Sequence, residues 1–295
     1  MAFRLKSNET LKQGVVRAIR EQAERSLDGL SGGDSSLSDD SFSEAVHRAR
    51  VCCKRIRAIL LLVRPALDRI YDVENDSFRI ATRMLSELRD SNATIEAFHR
   101  LGARYRDKDT QQLVDRLCRY FVNQSELKCD PEEMRWAIEA FSSGVNSAVA
   151  RIPSWSAATH GYSKAVKMGL LDTYFKGRKA CKIANFDPSD DNLHEWRKWV
   201  KALMYQVKFL QPSKGRRFHR DATQLGELAE VLGHANDLIG LRESVASLPN
   251  QHWKNRELDR FLAALHLERA RLHSRALTLG RILYVKKPKV RNGDF

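Results

Sequence analysis

The chain has 295 residues, 42% hydrophobic and 30% charged, ordinary proportions for a helical protein with one large core or two small ones. Lys and Arg number 51 against 37 for Asp and Glu, a formal net charge of +14, which points to an anionic partner: nucleic acid, anionic lipid or polyphosphate. The longest purely aliphatic run, Ala58 to Val63, is far short of the roughly 20 apolar residues that span a bilayer, so no membrane insertion is expected.

In chain order, the first residues, Met1 to Asn8, lack an apolar signal region, and a cytoplasmic protein is expected. Helical periodicity then predicts a first helix over Thr10–Asp28, followed by a Gly-, Ser- and Asp-rich connector, Gly29–Asp40. The second helix, Ser43–Val63, carries His47, Arg50, Lys54 and Arg57. At roughly 100° per residue these four fall within an arc of about 80° and form one cationic stripe. Ala49, Cys52, Cys53, Ile56, Leu60 and Val63 take the opposite, inward face. Further helices are predicted over Asp76–Asp90 and Pro131–Ala150. Pro153, within Arg151-Ile152-Pro153-Ser154, should end the latter and mark a boundary between two halves.

Beyond that boundary, helices are expected over Ser156–Ala184, Asp190–Leu210 and Asn255–Leu283. Asp187-Pro188-Ser189-Asp190 reads as a helix start, with capping preferred over a metal site for its carboxylates. The Asp190–Leu210 helix repeats the earlier stripe at a constant offset of 147: His194, Arg197 and Lys201 match His47, Arg50 and Lys54, and Pro212 matches Pro65. Its inward face is expected to hold Trp196, Trp199, Val200, Leu203, Val207 and Leu210. The offset also matches Gly14, Arg17 and Arg20 to Gly161, Lys164 and Lys167, and Leu85 and Asp90 to Leu232 and Asp237. Gly14 and Gly161 suit a close approach between helices. Asp90 and Asp237 are placed near helix breaks, where each would cap a helix or orient basic side chains from behind.

One cationic helix face is usually just solvated. Two in register are harder to explain without a counter-charge, because like charges three or four residues apart repel one another. The nine histidines and five cysteines lack metal-ligand spacing. Lys198 stands where a zinc-protease helix would need its second histidine, and neither a phosphate-binding glycine loop nor a nucleophile elbow occurs. The cysteines, with Cys52 and Cys53 adjacent, read as core filler in a reducing compartment. No cofactor or catalytic residue is assigned.

The His-x-x-Arg-x-x-x-Lys pattern in both halves, Leu88-Arg89-Asp90 and the Leu-Gly-x-x-Asn-Asp run at 232–237 together resemble the CHAD domain, the conserved-histidine α-helical domain. The resemblance implies an all-α fold of two antiparallel four-helix bundles related by a pseudo-two-fold axis, around a basic central pore. It also implies non-catalytic binding of inorganic polyphosphate, with possible recruitment to polyphosphate granules. A single domain over 1–285 is expected, halved at 150/151, with a basic tail at 286–295. The expected contacts are His47, Arg50, Lys54, Arg57, His194, Arg197 and Lys201. Arg17, Arg20, Lys164, Lys167, Arg216, Arg217 and Arg220 form a secondary basic track, with Asp90 and Asp237 behind the stripe. Two departures stand out: Met204 occupies the place of a usual Arg before Tyr205, and Lys208 that of a usual acid. Both disturb the symmetry of the two faces. The alternatives are a single-stranded nucleic-acid or RNA-binding protein, disfavoured by the lack of aromatics on the stripe, and a basic scaffold for an acidic protein. Nucleic acid would otherwise be a weaker competing polyanion.

Overall fold

The computed structural model describes residues 3–30, 39–85, 91–104, 108–126, 131–157, 161–211, 215–248 and 255–285, and side chains are not described at 39–41, 91–94, 124–126, 131, 154, 156, 157, 215–220 and 255. Among the described residues the structure is helical without strands: α1 (Leu11–Leu27), α2 (Asp39–Leu62), α3 (Arg64–Leu67), α4 (Arg69–Met84), α5 (Ser91–Gly102), α6 (Lys108–Glu126), α7 (Pro131–Arg151), α8 (Tyr162–Phe186), α9 (Asp190–Leu210), α10 (Gly215–Ala246) and α11 (Asn255–Tyr284). A short 3-10 stretch, 152–157, follows α7 where Pro153 interrupts the helix.

Local chemistry sets several of these ends. The Thr10 hydroxyl accepts from the Gln13 amide while the Gln13 side chain accepts from the Thr10 amide, a reciprocal cap that starts α1. Ser189 caps α9, and Asp187 holds the Asn192 side-chain amide at 2.8 Å. The carboxylates there serve the helix start and ion pairs: Asp190 takes Arg242 at 2.8 Å and also Arg269. No cluster of His, Cys, Asp or Glu suited to a metal occurs among the described residues.

Helices α1, α2, α4 and α7 pack as one four-helix group, and α8, α9, α10 and α11 as a second. The pair α5 and α6 lies against α10 and α11. Helices α2 and α9 sit at the junction, with α8 also reaching α2 and α3. The contact there is tight. A Cβ at Gly169 would collide with the Leu62 carbonyl, and the buried Gln206 amide donates to the Ala58 carbonyl at 3.2 Å and to the Thr173 hydroxyl at 3.1 Å. One continuous apolar core runs through both groups.

Several expectations are corrected. Helix α4 begins at Arg69, seven residues before the expected Asp76, and α8 begins at Tyr162 rather than Ser156. Leu232–Asp237 lies inside the continuous α10, so Asp237 caps nothing. Asp90 lies outside the described residues. Gly14 does face a close neighbour, Leu5, but Gly161 has open space around it and instead supplies the positive φ of 91° that precedes α8. Cys52, Cys53 and Cys118 are buried, and burial pushes the Cys53 thiol up to about 12.

Candidate functional site

The apolar positions of α2 and α9 hold the two cationic stripes at the junction of the helical groups. Ala49, Cys53, Ile56 and Leu60 are fully buried on α2, as are Trp196, Val200 and Leu210 on α9. Between the helices opens a cleft of about 430 Å³. Lys54 and Arg57 line it from α2, and His194, Arg197, Lys198 and Lys201 from α9. Helix α4 contributes Tyr71 and Asn75. Five of the seven expected contact residues thus meet in one cavity. His47, exposed on α2, and Arg50, half-buried, are not among its lining residues.

Three of the lining cations are partly removed from water. Burial lowers Arg57, whose Nε donates to Asn75 Oδ1 at 3.0 Å. Burial also lowers Arg197, with Asp237 opposing the shift, and the buried Arg197 Nε has no hydrogen-bond partner among the described residues. Lys201 is lowered first by burial and next by the neighbouring Arg197. Desolvating positive charge without a direct carboxylate partner is costly, and an anion entering the cleft would offset it.

The Leu232–Asp237 run on α10 organises the α9 stripe. Asn236 Oδ1 sits 2.9 Å from His194 Nδ1, so Nδ1 carries the hydrogen and Nε2 is left for a ligand. A Cβ added at Gly233 would lie 3.9 Å from the Arg197 guanidinium, which places this turn of α10 directly against Arg197. Asp237 accepts from Arg100 of α5 at 2.7 Å and stands in the field of Arg197 and Lys201. Burial raises its carboxyl above the usual range; Arg100 and the other cations only partly oppose this. Asn236, Asn75, Tyr71, Lys198 and Arg100 were not assigned to the site from the sequence. Only Asn236 had a signal there, as part of the run shared with the family pattern.

Trp199 requires a correction. It is half-buried, its indole donates to Glu195 at 2.6 Å, and it lines the cleft. With Tyr71 and Tyr205 it gives the cavity an aromatic wall that the helical wheel did not anticipate. Cations already lie over all three rings: Lys176 and Lys198 at 5.0 and 5.1 Å from Trp199, Arg64 at 4.8 Å from Tyr71 and Arg55 at 6.0 Å from Tyr205. Met204 is buried, so the position that Arg57 fills on α2 faces the core on α9, whereas Lys208 is exposed.

The secondary basic track does not assemble at the cleft. Arg17 is held by Glu9, by Glu21 at 3.0 Å and by the Arg4 carbonyl at 2.9 Å, so its charge is answered within the protein. Arg20 and Lys164 are exposed and Lys167 half-buried, and none lines the cavity. The side chains of Arg216, Arg217 and Arg220 lie outside the described residues.

Comparison with known proteins bears on the family and the fold. The CHAD domain family model matches residues 21–246. The crystal structure of the CHAD domain from the plant Ricinus communis superposes with a TM-score of 0.65 at 17% identity, over 99% of this chain and 98% of that one. Similarity at that identity speaks for the fold. No curated protein sequence matches.

Proposed function

Because the chain belongs to the CHAD domain family, we propose that its cleft binds inorganic polyphosphate without transforming it. One observation carries the reading: Lys54, Arg57, His194, Arg197 and Lys201 converge on one cavity in which three cations are partly desolvated. Successive phosphate oxygens would accept charge-assisted hydrogen bonds from Arg57, Arg197 and Lys201. A chain longer than the cleft would continue along α2 toward Arg50 and His47. Its free remainder could stay in a granule, so the reading extends to recruitment onto cytoplasmic polyphosphate granules. Asn236 and Asp237 act behind the contact, one orienting His194 and the other balancing Arg197 and Lys201. In this reading residues 1–285 form one domain of two related halves, with the repeat axis passing between α2 and α9. The cleft supplies hydrogen-bond donors rather than a nucleophile beside a base, so retention rather than hydrolysis of the anion follows.

The aromatic wall gives single-stranded nucleic acid a second reading, since bases stack on exposed rings. The cations over Trp199 and Tyr71 occupy the faces a base would need. Competition at equal phosphate concentration decides between them: long-chain polyphosphate should displace RNA and DNA, and its affinity should fall log-linearly with salt. Tighter binding of nucleic acid than of polyphosphate would reverse the assignment, and a salt-insensitive affinity would remove the cleft from consideration.

A further inference from the structure

A second positively charged surface lies beside the cleft, on the outside of α8. Helix α8 carries six Lys and Arg residues against a single acid, Asp172, which pairs with Lys176 at 2.8 Å. Lys164, Met168, Phe175, Lys179, Lys182 and Phe186 stand at offsets that place them within about 60° of one another. All six are exposed, Phe186 by 92%. The outermost stripe of the helix therefore mixes cations with large apolar groups.

Helix α11 packs behind this stripe, against the opposite side of α8. It runs antiparallel to α8, because Tyr284 abuts Gly177, Gly280 abuts Cys181, and His273 Nε2 lies 3.2 Å from the Ala184 carbonyl. Of eleven exposed large hydrophobics among the described residues, four lie on α8: Met168, Phe175, Ile183 and Phe186. Such concentration is unusual, since exposed apolar side chains normally scatter singly. A groove of about 280 Å³, bounded by Lys176, Lys179 and Ile183 on α8 and by Glu195 and Trp199 on α9, runs beside the stripe.

We propose that the outer stripe of α8 docks on an anionic lipid surface. The apolar side chains would enter the headgroup boundary while the lysines extend to lipid phosphates, the arrangement of an interfacial helix. Charge complementarity selects this occupant. A second copy would bring an equally basic face against this one, and neutral lipid would leave the lysines unanswered. The two surfaces adjoin at Trp199, but the lining of the polyphosphate cleft includes no residue of α8.

Flotation with phosphatidylcholine vesicles, with and without phosphatidylglycerol, tests the proposal. Wild-type protein should bind the anionic vesicles at least roughly tenfold more tightly than the neutral ones. Phe175→Ser with Phe186→Ser, and separately Lys179→Glu with Lys182→Glu, should each weaken that binding by roughly tenfold or more. Both pairs are exposed and should keep wild-type helicity and melting, so either suffices if the other fails to fold. Absence of vesicle binding, equal binding to neutral vesicles, or unchanged binding in a folded variant would overturn the proposal. So would a wild-type dimer that the phenylalanine variant dissociates, because the face would then be an interface between copies.

Discussion

The stripes of α2 and α9 begin as copies and end in different environments. On α9, His194 is held by Asn236, Arg197 packs beside Gly233 and faces Asp237, and Lys201 is half-buried. On α2, His47 is exposed and Arg50 half-buried outside the cleft, while Lys54 and Arg57 reach in. The cleft takes its α2 side from the second half of that stripe and its α9 side from the whole of the other. Neighbouring helices account for the difference. Continuous α10 presents Asn236 and Asp237 to α9, whereas α4 presents Asn75 to Arg57. At the place matching Asn236 the first half has Arg89, which cannot accept a histidine hydrogen. A duplicated pattern thus acquires separate duties from whatever packs against it.

The largest expected effect contrasts equivalent arginines. Arg197→Glu should weaken polyphosphate binding by about 2–3 kcal/mol, roughly 30- to 150-fold, the scale of a partly desolvated charged hydrogen bond. Arg50→Glu should cost less than about 1 kcal/mol, as for a more solvated charge. Calorimetric titration of both variants checks this, and equal losses would restore the symmetry of the two stripes.

Alkaline pH sharpens the comparison at the next position. Lys201 titrates below its ordinary value in the free protein, chiefly through burial, and a bound anion would push it up again. Affinity should therefore be full while Lys201 is protonated in the free protein, fall as pH rises past that depressed value, and level off above the bound one. Lys201→Arg should flatten this limb, because a guanidinium stays charged. The same depressed value acts oppositely on the fold: Lys201 should add stability as pH rises from that value toward the unfolded one. Affinity and melting measured from about pH 8 to 11 would separate the two trends. An alkaline limb that persists in Lys201→Arg would assign it to another group.

The smallest effect concerns the histidines. His194 lines the cleft and is held there by Asn236, so His194→Gln should weaken polyphosphate binding severalfold in a calorimetric titration. His47→Gln, outside the cleft lining, should leave affinity close to the wild-type value. A loss with His47→Gln and none with His194→Gln would exchange their roles.

Periodicity made much of the framework legible. Helix α9 spans the expected Asp190–Leu210, and α7 starts at the expected Pro131. Helices α5, α6 and α10 were not anticipated. In α10 the reason is physical: Gly233, Asn236 and Asp237 are poor helix formers and suggest a break. Their contacts with Arg197, His194 and Arg100 are tertiary and override that local preference. Trp199 shows the converse, for a wheel that sorts residues into two faces has no place for one on the border.

By itself, the sequence determined which side chains share a helix face, because helical spacing is local and the 147-residue offset preserves it. It also determined the excess of positive charge and the buried positions of α2 and α9. Only the tertiary structure decided which cations are paired directly with carboxylates and which face the cavity. Arg17 and Arg197 are both arginines on basic helices, yet Glu9 and Glu21 neutralise one while α10 confines the other beside a cavity. Desolvation and compensation depend on elements distant in the chain, and helical spacing carries no record of which element will pack against which face.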